Sequence, residues 1–381
     1  MRILFSLDNY DHGTGGAERS AHTLAHQLAA RGHQVTALQR GDAPPCDDGP
    51  VRVHCRPLPV SRWWRDRDYD TQRWNRLWQG LLGEFVSGNP ADLILTQQRL
   101  LPGTVEVAAG RAVPVAAFIR GFAPFCPDQF RSRDALTECD RDCRGCLPWR
   151  QRLKFGAVRR TLDDYERAAR KASLVLANSR YMQAVIRRFY GIEAPVVYPA
   201  VELARYRVER PEAGRVLFCK PQYSKGLPIF CDVARRLPGA RFLVVGRMRW
   251  RARRRLGSLP NAECAGWVGD MREAYRRTRV LLGPSIWPEP FGRVFVEAAA
   301  SGIPSVASAR GGIPEAVGGG GILVRDIFDT DAWADALGRL DDPATYAACS
   351  AKALDHAGRF AAEATLAQFL DSVQSALGLQ L

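Results

Sequence analysis

Two glutamates lie in a segment whose residue types suit ligand binding. The segment is Pro284–Ala298, and it carries Glu289 and Glu297. Glu289 stands between Pro288 and Pro290, which do not fit a helix interior, so we expect it in a loop. Glu297 follows on the helix that this loop opens. Each carboxylate accepts several hydrogen bonds, so the two acids can hold the hydroxyls of one ligand.

The same loop is expected to present backbone donors. The amides of Phe291, Gly292 and Arg293 fall at the start of the predicted helix, where N–H groups and the helix dipole attract phosphate or sugar oxygens. Taken alone, the two glutamates fit an ordinary solvated loop acid and helix-surface acid better than a ligand-binding pair. Their significance therefore depends on the fold that positions them.

Short apolar runs alternate with helical patterns in both halves of the chain. In the first half, Arg2–Leu7 and Val113–Ile119 read as strands and Ala17–Arg31 as a helix. The second half repeats the rhythm, with strands such as Val216–Cys219 and Phe242–Val245. Strands separated by helices imply parallel βαβ units. The sequence therefore predicts an α/β protein with two doubly wound, Rossmann-like domains facing each other across a cleft, with ligands at the carboxyl ends of the strands.

Composition limits the class of protein. The 381 residues carry a net charge of +14, which favours anionic partners such as nucleotides, phosphorylated substrates or an anionic membrane surface, or simply gives a soluble basic surface. No run approaches the ~20 apolar residues of a membrane span, and the N-terminus lacks a signal peptide, so we expect a cytoplasmic protein. The densest arginine group, at 247–255, has no nucleic-acid-binding signature beside it, so we expect no nucleic-acid partner.

A segment rich in tryptophan and arginine spans residues 61–86. Trp63 and Trp64 lie in its first part, whereas Trp74 and Trp78 belong to an apolar i, i+3, i+4 pattern that predicts an amphipathic helix. Its apolar face either packs on the first domain or forms a membrane-surface or acceptor-binding face, since tryptophan and arginine suit the lipid headgroup layer.

Four of the ten cysteines are clustered in a polar insertion at 125–148 without helix or strand period. They are Cys126, Cys139, Cys143 and Cys146. Four thiolates at short spacing can close a tetrahedral structural zinc site that folds such a loop. Their spacing fits no standard iron–sulfur pattern. The alternatives to zinc are free thiols or a disulfide pair.

The segment E-P-F-G-R-V-F-V-E-A at 289–298 resembles glycosyltransferase family 4, the retaining group with the GT-B fold. Further stretches resemble the same family in the same order along most of the chain: 13–19, 178–181, 197–202, 220–226, 266–269 and 311–315. The resemblance implies an acceptor-side domain at 1–198, which carries the cysteine-rich insertion, and a nucleotide-sugar-binding domain at 199–358. It also implies a C-terminal helix at 359–381 that crosses back onto the first domain.

The resemblance assigns a role to each matching acid and cation. Glu289 would hold hydroxyls of the donor sugar, and Glu297 the ribose hydroxyls. Lys220 and Lys225 would neutralise the donor diphosphate, whose negative charge grows as the glycosidic bond breaks. A lysine stands at 220 where the family usually has arginine, so the charge is kept but the bidentate geometry is not.

Glycines and backbone groups complete the implied site. Gly15 and Gly16 would let the backbone approach the donor diphosphate or the acceptor, because they lack side chains. Val268 would contact the base through its backbone, and the amides of Phe291 and Gly292 would bracket the sugar. Many family members have a histidine where this chain has Arg120, which could contact a phosphate or an acidic acceptor instead.

The reaction implied is transfer of a sugar from a nucleoside-diphosphate-sugar to an acceptor hydroxyl with retention at the anomeric carbon. The family needs no cofactor for this chemistry, so any zinc would be structural. The acceptor would be a sugar or a lipid-linked molecule in polysaccharide or glycolipid assembly, at the inner face of a membrane. The alternatives are a nucleotide-sugar epimerase of the same fold and a catalytically silent nucleotide-sugar-binding protein.

Overall fold

A computed structural model describes residues 1–10, 15–58, 67–130, 134–139, 143–147, 149–153, 155–209 and 214–381. The predictions that concern Gly13, Thr14, Trp63 and Trp64 lie outside these residues, and the insertion at 125–148 is described in part. The described residues form two compact units. The first comprises Met1–Gln129, Cys139–Ala200 and Thr365–Leu381, and the second comprises Phe130–Glu138 and Val201–Ala364.

The first unit is built on a seven-stranded sheet with the order β3-β4-β2-β1-β5-β6-β7. Neighbouring strands are parallel, except that β3 runs antiparallel to β4 at the edge. The strands are β1 (Arg2–Leu7), β2 (Gln34–Arg40), β3 (Cys46–Asp48), β4 (Val51–Arg56), β5 (Leu93–Gln97), β6 (Val115–Ile119) and β7 (Leu174–Ala177). The helices are α1 (Gly16–Ala30), α2 (Arg67–Gly88), α3 (Leu101–Gly110), α4 (Cys143–Cys146), α5 (Trp149–Arg152), α6 (Phe155–Lys171) and α7 (Arg180–Tyr190).

The second unit is built on a six-stranded parallel sheet with the order β10-β9-β8-β11-β12-β13. The strands are β8 (Arg215–Cys219), β9 (Phe242–Val245), β10 (Ala262–Gly266), β11 (Thr278–Gly283), β12 (Ser305–Ser308) and β13 (Gly321–Val324). The helices are α8 (Leu203–Tyr206), α9 (Leu227–Arg236), α10 (Trp250–Leu256), α11 (Met271–Tyr275), α12 (Arg293–Ala299), α13 (Ile313–Val317), α14 (Thr330–Arg339) and α15 (Pro343–Ala357). The predicted α/β class with two Rossmann-like parallel sheets is confirmed.

The units change over at Ala200–Val201, beside the predicted boundary at 198/199. The last helix, α16 (Ala362–Leu377), returns to the first unit, where its Phe369 and Val373 are fully buried in the sheet core. The structure divides the predicted cysteine-rich insertion, because Phe130–Glu138 packs with the second unit, where Glu138 pairs with Arg310 at 3.0 Å. The insertion also contains one helical turn, α4, too short for its periodicity to show in the sequence.

The predicted amphipathic pattern of the tryptophan-rich segment forms α2, and its apolar face is buried. Trp78 is fully buried and donates its indole N–H to Ser6 Oγ at 2.9 Å, while Trp74, Leu82 and Phe85 are at most 4% exposed. The apolar face of α2 therefore packs within the first unit and does not form a membrane-surface or acceptor-binding face. No helix in the described ranges is both long and apolar enough to span a membrane.

Candidate functional site

The loop between β11 and α12 carries Glu289, as predicted. Its backbone is held from behind by the loop between β12 and α13. Gly312 donates its amide to the Glu289 carbonyl at 2.7 Å. Gly311 has φ +60°, and a Cβ added there would lie 2.4 Å from the same carbonyl oxygen. Only glycine tolerates both the positive φ and the close carbonyl at position 311. Gly311 and Gly312 therefore fix the position of the Glu289 backbone.

The Glu289 carboxylate is buried and has two partners. Ser285 donates its hydroxyl to Oε1 at 2.6 Å, and Lys225 Nζ lies 2.8 Å from Oε2. Burial alone would raise the pKa of Glu289, but the charge and hydrogen bond of Lys225, with the Ser285 hydroxyl, outweigh it and lower the pKa below the ordinary value. The acid is therefore ionised at neutral pH, in a fixed orientation.

Lys225 is positioned by a short turn after β8. Gly226, with φ +85°, packs so closely on the β11–α12 loop that a Cβ there would overlap the Pro284 carbonyl. The Trp287 amide donates to the Ser224 carbonyl at 2.9 Å, and the lysine Nζ lies 4.8 Å from the centre of the Trp287 ring. The two loops thus hold the ammonium group against the carboxylate from opposite sides.

A second buried acid–base pair lies on α12. Arg293 donates through Nε to Glu297 Oε1 at 2.8 Å, and the hydroxyl of Tyr275 donates to Oε2 at 3.2 Å. The side chains of the pair are 12% and 8% exposed. Burial alone would lower the pKa of Arg293, but the Glu297 charge raises it overall. Tyr275, fully buried, has its pKa raised by burial and by the same carboxylate. Each Glu297 oxygen therefore already has a protein donor.

Cys219, the last residue of β8, links the two pairs electrostatically. Burial is the largest cause that raises the pKa of its thiol, to about 12; Glu297 and Glu289 also raise it, whereas Lys220 and Lys225 lower it. All four predicted charged residues are thus within electrostatic reach of one sulfur atom, at the carboxyl end of a central strand. The structure brings these four side chains together, although their binding roles stay predictions.

Lys220 directly follows Cys219 and is exposed. Its φ is +56°, in the left-handed region that is uncommon for residues other than glycine. Non-glycine residues in this region cost about 1–3 kcal/mol and concentrate at functional sites. The ammonium group is therefore a solvent-facing cation beside the two buried pairs.

The remaining predicted residues of the second unit differ in exposure. The Phe291 ring is buried against Phe360, with centroids 5.1 Å apart, so its side chain packs in the core. Gly292 has φ +104° and precedes α12, which has seven residues. Val268 is half-buried in the loop after β10. The donor contacts predicted for these backbones remain untested.

In the first unit, polar residues follow four neighbouring strands at their carboxyl ends. Arg120 follows β6 directly, is 8% exposed, and has its guanidinium 4.1 Å from the Phe118 ring centre. Asn178, after β7, donates its amide to the Arg120 carbonyl at 3.3 Å. Asp8, after β1, has its pKa raised by burial. Gln97 ends β5 and is 1% exposed. This row lies where parallel sheets bind ligands.

The predicted glycine loop leads into α1. Gly15 is its N-cap and Gly16 its first residue. A Cβ on Gly15 would meet the Glu18 carboxylate at 2.3 Å, so the backbone here is covered by a side chain that can move away. The close backbone approach predicted for this loop stays a prediction.

The predicted zinc ligands do not converge on one point in the structure. Cys126, Cys139 and Cys143 are partly buried and Cys146 is exposed. In the described ranges, the one group of three metal-ligating side chains with all ligand atoms within 4.8 Å of one another is His22, His26 and Asp48. Zinc at the cysteines stays a prediction.

Two Rossmann-like units, one with paired acids and cations at the carboxyl edge of its sheet, define the GT-B class of nucleotide-sugar enzymes. The family model "Glycosyltransferase Family 4" matches residues 14–205, and "Glycosyl transferases group 1" matches residues 213–342. The chain therefore belongs to glycosyltransferase family 4.

Individual relatives agree with this class. A D-inositol 3-phosphate glycosyltransferase of Segniliparus rotundus is 30% identical over 236 residues, which are 53% of this chain and 52% of that protein. Sucrose-phosphate synthase from Thermosynechococcus elongatus superposes with a TM-score of 0.76 at 18% identity, covering 99% and 100% of the two chains. Anabaena HepE in complex with UDP and glucose gives 0.71 at 19%, covering 98% and 100%. The chain thus matches about half of the length of the Segniliparus protein, and it matches 25% of the length of a D-inositol 3-phosphate glycosyltransferase from Stackebrandtia nassauensis.

Proposed function

We propose that this chain transfers a sugar from a nucleoside-diphosphate-sugar donor to an acceptor hydroxyl, with retention at the anomeric carbon. The observation that carries the proposal is the buried Lys225–Glu289 pair at the carboxyl edge of the second sheet, beside the Arg293–Glu297 pair. Both acids are already paired with a protein cation before any ligand arrives, so the site is preorganised.

Each charged group has a defined task in the proposed reaction. Lys225 Nζ has three donors and uses one for Glu289, so others can meet the diphosphate. Exposed Lys220 adds a second positive charge. Both stabilise the nucleoside diphosphate as the anomeric C–O bond breaks and negative charge accumulates on it. Glu289 keeps lone pairs for donor-sugar hydroxyls, and Glu297 for the ribose.

Retention follows if the acceptor attacks from the face that the diphosphate leaves. In that step the acceptor oxygen bonds to the anomeric carbon, the C–O bond to the diphosphate breaks, and the acceptor proton passes to a diphosphate oxygen. The Glu289 carboxylate is engaged by Lys225 and Ser285, which suits hydroxyl binding better than nucleophilic attack. UDP-glucose is the first donor to test, because Anabaena HepE was solved with UDP and glucose.

We place the acceptor at the polar row of the first unit. Arg120 offers a buried cation after β6, and Asp8 and Gln97 offer polar groups after β1 and β5. A cation beside a carboxyl and an amide side chain suits an acceptor with hydroxyls and one acidic group. The relative from Segniliparus rotundus is named for such an acceptor, inositol 3-phosphate.

The first experiment is a thermal-shift screen of nucleotide-sugars, since a true donor raises the melting temperature with its concentration relative to its dissociation constant. The best donor then enters an assay of nucleotide release with and without candidate acceptors. A transferase releases nucleotide faster with acceptor, an epimerase converts the donor without it, and a silent binding protein does neither.

Glu289→Gln, which removes the charge and keeps the shape, is the matched variant. We expect a loss of about 10²–10³-fold in turnover for a group that stabilises the transition state. Glu84→Gln, at an exposed position of α2, is the control and should keep full turnover. Equal rates in the wild type and Glu289→Gln would refute the proposed role.

We further propose that α10 contacts an anionic membrane surface. Six exposed arginines lie on or before this helix: Arg247, Arg249, Arg251, Arg253, Arg254 and Arg255. Trp250 is 67% and Trp267 is 58% exposed, and the two rings lie 5.2 and 5.1 Å from Arg251 and Arg247. The arginines can pair with anionic lipid headgroups, and the exposed tryptophan rings can insert at the level of those headgroups.

Vesicle sedimentation tests this surface. The wild type should bind vesicles with anionic phosphatidylglycerol and not neutral phosphatidylcholine, and added salt should weaken binding. A Trp250→Ser/Arg251→Gln variant should bind several-fold less. Trp149→Ser, at a site 66% exposed in the first unit, is the control. Equal binding by all three proteins, or binding to RNA instead of vesicles, would overturn the proposal.

A further inference from the structure

Two histidines of α1 and one aspartate of the β3–β4 hairpin form a cluster outside the proposed site. His22 Nε2 lies 2.8 Å and His26 Nε2 lies 2.9 Å from the same oxygen, Asp48 Oδ2. The three ligand atoms all lie within 4.8 Å of one another. Two imidazole nitrogens and a carboxylate oxygen facing one point are a ligand set for a divalent metal ion.

Local sequence places the three side chains. His22 and His26 are four positions apart on a helix, so they share one face and their rings stack with centroids 4.3 Å apart. Asp48 ends β3, which pairs antiparallel with β4 in the register Asp48↔Val51. The connecting loop is Gly49-Pro50, with Gly49 at φ +56°, as a two-residue hairpin with glycine first requires.

The surroundings hold this arrangement and leave one side open. The ring of Tyr10, 3% exposed, lies 5.3 Å from the ring of His22. The ring of His26 packs over Gly49, whose added Cβ would lie 3.3 Å from His26 Cε1. The side chains of the three ligands are 19%, 30% and 38% exposed, so water can complete a coordination shell.

We propose that His22, His26 and Asp48 bind a first-row divalent transition-metal ion, with Zn²⁺ as the representative. Neutral imidazoles can carry their protons on Nδ1 and offer both Nε2 lone pairs to the metal. Around a tetrahedral ion with bonds of about 2.0 Å, ligand atoms lie about 3.3 Å apart. From the observed 2.8 and 2.9 Å, each histidine–aspartate pair needs to open by only about half an ångström or less, and the two histidine nitrogens already lie within 4.8 Å of each other.

The ion would join α1 to the β3–β4 hairpin. Helix α1 begins at Gly16, so a bound metal would also restrain the glycine loop at its N-terminus. This site differs in ligand type from the four clustered cysteines, because nitrogen and oxygen ligands give weak absorption with Co²⁺, whereas thiolates give intense charge-transfer bands. Metal at the two places can therefore be distinguished in the intact protein.

The test is a Co²⁺ and Zn²⁺ titration of the metal-stripped full chain. The wild type should show one binding event without thiolate charge-transfer bands. His26→Gln and Asp48→Asn should each weaken this event by at least about 10–100-fold, the effect known for groups that merely support a ligand. His33→Gln, in the turn after α1, is the matched control and should bind like the wild type.

Circular dichroism checks that each variant is folded, and two variants at different elements guard against a single misfolded protein. Zn²⁺ should also raise the melting temperature of the wild type and of His33→Gln, but not that of the two ligand variants. Wild-type protein that binds no Co²⁺ through nitrogen and oxygen, or variants that bind it as tightly as the control, would overturn the proposal.

Discussion

Replacing Lys225 with methionine isolates the energetic role of the buried pair. Methionine keeps most of the side-chain volume and removes the charge. The Glu289 carboxylate, whose side chain is 11% exposed, would then lose its cation and keep the hydrogen bond from Ser285. Breaking a buried ion pair on one side costs about 3–5 kcal/mol, because a charge is left buried without compensation. Since both side chains keep slight exposure, we expect about 3 kcal/mol.

The loss should depend on pH with a definite sign. In the wild type, the pKa of Glu289 is lowered, so the pair's contribution is present above the ordinary value of 4.5 and is lost as pH falls through the lowered pKa. Without Lys225, burial dominates and raises the pKa of Glu289 above that value. The destabilisation should therefore be greatest at neutral pH and shrink as the pH falls, and it should vanish only below the lowered pKa of the wild type, where the carboxyl group is protonated in both proteins.

Differential scanning calorimetry at pH 7 and pH 4 measures both effects. For a unit of this size, 3 kcal/mol corresponds to about 6–12 °C in the transition of the second unit. Lys171→Met is the matched control, because Lys171 pairs with Glu106 at 2.6 Å with both side chains nearly half exposed. Exposed pairs contribute about 0–1 kcal/mol. An equal shift in both variants, or a Lys225→Met shift that grows on acidification, would refute the reasoning.

Three further substitutions test the supporting contacts. Gly311→Ala should destabilise the second unit by about 1–3 kcal/mol and lower turnover, whereas Gly239→Ala, with open space around it, should do neither; melting and nucleotide release measure the two effects. Tyr275→Phe should cost about 1 kcal/mol in calorimetry, and an unchanged midpoint would argue against its bond to Glu297. Trp78→Ala should cost about 3–5 kcal/mol, whereas Leu77→Ala, 41% exposed, should shift the urea midpoint little.

The alternation of strands and helices was readable from the sequence because most strands are buried on both faces. Runs such as Phe242–Val245 are continuously apolar and are bounded by Arg241 and Gly246. The strands with the weakest sequence signal lie at or near sheet edges. β4 alternates buried residues with exposed or half-buried ones, β3 has three residues, and β10 is largely exposed. Edge strands need fewer apolar residues, so their signal is weak.

The candidate site was predictable only in part. Glu289 and Glu297 stood out through their prolines and spacing, and Lys225 through its position after a strand. Their partners Ser285 and Tyr275 gave no signal, because a serine or a tyrosine has many ordinary structural uses. The link between a lysine turn and a glutamate loop depends on the pairing of β8 with β11, which brings distant segments together. No local pattern contains that register.

The paired charges of the second unit are better explained by function than by stability. Burying Lys225 with Glu289, and Arg293 with Glu297, removes four charges from most of their water. Well-packed apolar residues of similar volume would often stabilise a fold as well or better. Both pairs are also electrostatically coupled to the thiol at the end of one strand, and a strained Lys220 stands next to it. A preorganised anion site needs partly desolvated charges in fixed positions, and backbone strain is common at such sites. Here these features lie together at the carboxyl edge of a parallel sheet, where ligands bind. A variant that replaces one whole pair by apolar residues should therefore keep the fold and lose nucleotide-sugar binding.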